Sequence, residues 1–229
     1  MIAELSHEDE VPIGLSEICS ALRADLERRN AARDQAIVLS RQLIRHCSVS
    51  IRAIHRRDWE GADAKLEEVS AGATALKSVV SDYPDLYHTG YAQDAMKEVA
   101  EAFITRAIIA GQALPSAAEL DIESSTYLKG LGEAATELRR FILDIMRRDE
   151  DHSSEAERLL KVMDAVYDQL VTFDFPDALT RGLRRQTDVV RGVLERTRGD
   201  LTQSLRQQKL QDAIKRFESQ VDAASEGEK

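Results

Sequence analysis

The sequence predicts an all-α fold, and three observations carry that prediction. Glycine and proline are scarce, at 11 and 4 of 229 residues. Aromatic residues make up 5% of the chain, too few to fill the strands of a β-protein, which also needs many turn residues. Apolar residues recur at threes and fours over long stretches, the period of a helix with one buried face. No linker, internal repeat or low-complexity block divides the chain. The expectation is a single domain over residues 16–220, an antiparallel bundle of about seven helices, with mobile polar tails at 1–15 and 221–229.

The first helix is expected from Ser16 to Arg57, where Leu22, Leu26, Ala36, Leu43, Cys47, Ile51 and Ile54 keep helical spacing. A second opens after Asp58 and carries Trp59, Ala62, Leu66, Val69, Ala73, Leu76 and Val80. Pro84 disfavours the α region at Tyr83 and forces a break. The third, about Ala92 to Gly111, sets Met96, Val99, Ala100, Phe103, Ile104, Ala107 and Ile108 on its apolar side, with Gly111 as a C-cap and Pro115 beyond it. Ser116 and Glu119 read as a capping box around one short turn. A fourth long helix, about Ser124 to Arg148, shows Tyr127, Leu131, Ala134, Leu138, Ile142 and Ile145. Ser154 and Glu157 open a helix to about Phe173, and Pro176 begins the next. The stripe Leu183, Thr187, Val190, Leu194, Thr197, Leu201 and Leu205 then continues without a proline into one long final helix.

The formal net charge of −10 excludes a uniformly basic nucleic-acid coat, so any contact with phosphate must come from a local patch. No apolar run reaches the roughly 18–20 residues of a membrane helix, because Glu101 and Arg106 interrupt the best candidate, so no membrane partner is expected. The acidic first residues lack a signal-peptide core. Cys19 and Cys47 fall on one helix, roughly 40 Å apart at its rise per residue, and cannot pair. They read as small buried apolar residues of a reduced, cytoplasmic protein.

Charge is organised in two places. Arg41, Arg45, Arg52 and Arg56 share a narrow arc of the first helix at about 100° per residue, opposite Leu43, Cys47, Ile51 and Ile54. From Gln35 to Arg57 there is no acidic residue. Solvated faces normally mix signs at i,i+4. The planar arginine fork suits phosphate oxygens, which makes this stripe, with His55 at its edge, the candidate nucleic-acid surface. The second place is acidic. Glu98 and Glu101, with Asp94, face away from the apolar stripe of the third helix, and Glu133 and Glu137 lie one turn apart on the fourth. Two such pairs could converge on a hard divalent cation, which prefers oxygen ligands. Mg2+ or Mn2+ held that way can activate water and steady charge developing on a phosphodiester. Equally, such carboxylates can be the polar faces of amphipathic helices and nothing more. Di-iron, zinc, nucleophile-elbow and Walker signatures are missing.

Certain local strings resemble the translin superfamily, specifically its translin-associated factor X (TRAX) branch, over about residues 30–215. They are KEVAEAF at Lys97–Phe103, YLKGLGEAATELRR at Tyr127–Arg140 and ALTRGLRRQTDVV at Ala178–Val190. TRAX-like nuclease subunits carry acidic residues in a Q-E-Y-V-E-A-like string, and two more in a D-L-T-G-E-L-M-R-like string after Tyr-Leu-x-Gly. The matching positions here are Glu98, Glu101, Glu133 and Glu137, with Glu133 standing where the family typically has Asp. The resemblance implies seven-helix subunits in hollow octamers with active sites facing the interior. Its expectation is a Mg2+- or Mn2+-dependent endoribonuclease on single-stranded RNA, working in a homo-oligomer. Glu98, Glu101, Glu133 and Glu137 would be metal-binding and catalytic, and Arg41, Arg45, Arg52, His55 and Arg56 would hold the nucleic acid. The alternatives are a translin-like module that binds single-stranded RNA or DNA without cutting it, and a purely structural helical oligomer.

Overall fold

The computed structural model describes residues 13–147 and 153–226. The described residues contain no strand and form eight helices. These are α1 (Leu15–His55), α2 (Trp59–Val79), α3 (Pro84–Tyr87), α4 (Gly90–Ala110), α5 (Ser124–Arg147), α6 (Ser153–Leu170), α7 (Asp177–Thr180) and α8 (Leu183–Glu226). Six match the long helices read from the sequence. The other two, α3 and α7, are single turns of four residues. None of the described helices is long and apolar enough to cross a membrane. Of the tails expected at 1–15 and 221–229, residues 1–12 and 227–229 lie outside the described residues, while 221–226 are the end of α8.

Local chemistry sets the helix ends. The Asp58 carboxylate accepts a hydrogen bond from the Gly61 backbone N–H at 3.0 Å, capping α2. Gly111 closes α4 at φ 68°, a conformation glycine adopts without a Cβ penalty. The Ser116 hydroxyl accepts from the Glu119 N–H at 3.1 Å while the Glu119 carboxylate accepts from the Ser116 N–H at 2.7 Å. That is the reciprocal capping box the sequence predicts.

Helix α4 is the central element. It packs against α1, α2 and α5, while α5 also covers α6 and α8. The main core joins Leu43, Cys47 and Ile54 of α1, Leu66 and Leu76 of α2, Met96 and Ile104 of α4, and Leu138 and Ile142 of α5. A smaller cluster of Ala135, Val166, Leu170, Leu183 and Val190 ties α5, α6 and α8 together.

Two expectations fail at the outer ends of the long helices. Leu22 and Leu26 keep core spacing, yet they are exposed, as are Leu15 and Ile18 on the same stretch of α1. Cys19 is likewise exposed, whereas Cys47 is buried; both are free thiols. Helix α1 has 41 residues, about 60 Å of rise, and its residues 15–28 are all exposed; packing against the rest of the described chain begins near Arg29, which bonds Asp85, and Ala32. Leu210, Ile214 and Phe217 repeat the situation at the far end of α8.

Candidate metal centre

A glycine sets how closely α4 and α5 approach. A Cβ on Gly130 would lie 2.6 Å from the Ala100 Cβ and 2.8 Å from the Lys97 carbonyl oxygen. The two backbones therefore touch where α4 presents Glu98 and Glu101, and Glu133 follows Gly130 by one helical turn.

The contact focuses the carboxylates. Glu98, Glu101 and Glu133 each bring a ligand atom to within 4.8 Å of the others, the one such group among the described residues. They are half-buried between helices rather than spread over a solvated face. Asp94, expected on the same face, is exposed and outside the group. Burial, with the charges of Glu98, Glu133 and Glu137, pushes the Glu101 carboxyl up to about 8. Burial also raises Glu98, with the Glu133 charge acting in the same sense against the lowering pull of Lys97. The Cys47 thiol, facing this region from α1, is pushed up strongly by burial and by the charges of Glu98 and Glu101. Three hard oxygen donors converge. That donor set fits a divalent cation.

Glu137 stands beside the group rather than in it. Its Oε1 accepts a hydrogen bond from His55 Nε2 at 2.5 Å, and the His55 ring stacks on Phe141 with centroids 3.8 Å apart. The His55 side chain is only 6% exposed. Among the described residues its Nδ1 has no hydrogen-bond partner, and it faces Asp144 Oδ2 at 3.8 Å. The residue sits at the border of the arginine arc and turns inward to hold a carboxylate.

The arginines themselves lie as expected. Arg41, Arg45, Arg52 and Arg56 are exposed, and none has an ion-pair partner among the described residues. Their flanking donors are committed elsewhere: His46 Nδ1 lies 2.5 Å from Glu68, and Arg57 makes two bonds to Glu155. Nearer the end of the chain, by contrast, Arg181, Arg184, Arg191 and Arg198 pair with Glu123, Asp174, Glu195 and Asp164.

No family model matches the sequence. The chain is 33% identical over 195 residues to an uncharacterized protein of Methanocaldococcus jannaschii, covering 84% of this chain and 85% of that one. The fold superposes on the crystal structure of AfC3PO with a TM-score of 0.74 and 32% identity, across 81% of this chain and 96% of that one. The same relative in complex with duplex RNA gives a TM-score of 0.69 at 33% identity, over 81% and 95% of the two chains. The chain belongs to the C3PO/translin superfamily. A further member of the fold, apo-NeC3PO, is 19% identical with a TM-score of 0.72, over 81% and 96% of the two chains.

Within this translin-superfamily fold, two residues that sequence reasoning passed over complete the centre. Lys97 Nζ lies 2.7 Å from Glu133 Oε1 and 3.4 Å from Glu98 Oε1. Burial works against its charge, but the hydrogen bond and charge of Glu133 outweigh that and hold the ammonium above its usual value. Its signal in the sequence is a basic residue where the family string has a neutral Gln. Gly130 is the other, inside the Tyr-Leu-x-Gly string, where its role is close backbone approach.

Proposed function

We propose that this chain is a TRAX-like subunit of a divalent-metal-dependent endoribonuclease, acting on single-stranded RNA inside a hollow homo-oligomer. The observation that carries the reading is the meeting of Glu98, Glu101 and Glu133 at a common focus. Glu98, Glu101 and Glu133 would hold Mg2+ or Mn2+, with Glu137 beside them under the hold of His55. When bound, the ion supplies charge to activate water and to stabilise a departing oxyanion. The chain's own groups do the rest. His55 donates to Glu137 and fixes its rotamer, while Phe141 fixes the His55 ring. The unpaired guanidinium groups of Arg41, Arg45, Arg52 and Arg56 bind phosphate oxygens and position the strand without reading bases.

An RNA ligand is supported by AfC3PO, which has been captured with duplex RNA. Assembly into a homo-oligomer, an octamer by resemblance, is supported by exposed Leu15, Ile18, Leu22 and Leu26 at one end and Leu210, Ile214 and Phe217 at another. Two free thiols suit a reducing cytoplasm.

One observation favours a second reading, a module that binds RNA or DNA without cutting it. The Lys97–Glu133 pair already neutralises part of the acidic focus. Turnover separates the two. Labelled single-stranded and duplex RNA oligonucleotides, incubated with the chain and Mg2+, should show metal-dependent cleavage of the single strand that Glu98→Ala and Glu137→Ala abolish. Salt-sensitive binding with wild type no faster than these variants would leave the binding module as the answer.

A further inference from the structure

Lys97 is a cation built into the acidic centre by the chain itself. It precedes Glu98 by one residue on α4, so the helix delivers its ammonium to the carboxylates whether or not an ion is present. Nζ bonds Glu133 Oε1 at 2.7 Å and approaches Glu98 Oε1 at 3.4 Å, and the side chain is 17% exposed. Glu133 and Glu98 are two of the three groups that define the metal focus. The ammonium therefore uses oxygens that a second metal ion would need. It also sets a unit positive charge beside any ion held by the remaining oxygens.

Phosphodiester chemistry is often served by paired ions about 3.5–4 Å apart, one at the attacking and one at the leaving oxygen. Four carboxylates on two helices carry enough charge for such a pair. We propose that Lys97 takes one of the two cation places, so that the centre holds a single divalent ion per chain and holds it more weakly than the carboxylates alone would. This rests on the metal-dependent reading above and names its ion count. A glutamine at the same position would remove the charge and leave at most a neutral amide donor. An arginine would keep the charge.

The test is an Mn2+ titration of the full chain, with free ion read by electron paramagnetic resonance. Wild type should bind one ion per chain. Lys97→Gln should bind Mn2+ about tenfold more tightly, because a neighbouring like charge is removed. Lys97→Arg should match wild type, and the rise in Tm on adding Mn2+ should be larger for Lys97→Gln than for either. Two ions on wild type, or no gain in affinity for Lys97→Gln, overturns the proposal and leaves the metal reading standing. No Mn2+ bound by either protein overturns both. The wild-type stoichiometry decides the ion count even if the glutamine variant fails to fold.

Discussion

Gly130 of α5 rests against the α4 backbone so closely that any side chain there would collide with the carbonyl oxygen of Lys97, 2.8 Å from an added Cβ. Backbone cannot yield as a flexible side chain can. Gly130→Ala is expected to destabilise the fold by about 1–3 kcal/mol, the usual cost of overpacking. Thermal unfolding should register this as a Tm roughly 2–12 °C lower. Because the methyl would separate the two acidic helices, Mn2+ affinity should fall as well. Gly199, where an added Cβ meets nothing within 4 Å, is the control position.

The His55–Glu137 contact makes a separate prediction. His55→Phe keeps a ring to stack on Phe141 and removes the donor to Glu137. Glu137 is about a quarter exposed, so water can replace part of the bond. The stability cost should be about 1 kcal/mol, below that of a fully buried charged pair. Metal affinity should drop more noticeably, about tenfold, because a ligand or near-ligand carboxylate loses its orienting partner. Paired denaturant and Mn2+ titrations would separate the two effects.

Protons and metal should compete at Glu101. Its carboxyl is raised from the ordinary 4.5 to about 8 by burial and the charges of Glu98, Glu133 and Glu137. The folded state therefore binds a proton that the unfolded state has released between those values. Without metal, stability from this group is fully present below 4.5 and is lost as pH rises through about 8. A divalent ion must displace the same proton, so its apparent affinity should climb with pH across that window and level off above it. Glu101→Gln should flatten the pH dependence of apo-protein stability, measured by urea unfolding at stepped pH.

The arginine stripe is tested by salt. Arg45→Gln with Arg52→Gln removes two charges that no carboxylate of the described chain neutralises. For a single-stranded RNA oligonucleotide, the slope of log affinity against log salt should shallow by about 1.4 if both contact phosphates. An unchanged slope would mean that these arginines serve subunit contacts instead.

Much of this molecule was legible before any coordinates. Helical period and caps located every long helix, because Leu43, Val69, Ile104 and Leu138 each face a neighbour that buries them. Leu22 and Leu26 carry the same pattern and misled, since periodicity states which face is apolar and not what covers it. The acidic centre was half legible. Spacing put Glu98 with Glu101 and Glu133 with Glu137, but only tertiary packing could show that Glu133 joins the first pair while Glu137 turns to His55. A histidine flanked by Ile54 and Arg56 looks like the rim of a basic face. Its inward turn depends on Phe141, 86 positions later in the chain.

The most direct test is diffraction at the manganese absorption edge from crystals soaked in Mn2+. The account predicts an anomalous peak between α4 and α5, in contact with carboxylate oxygens of Glu98, Glu101 and Glu133. Well-ordered glutamates with no peak among them, while Mn2+ binds elsewhere on the chain, would contradict it.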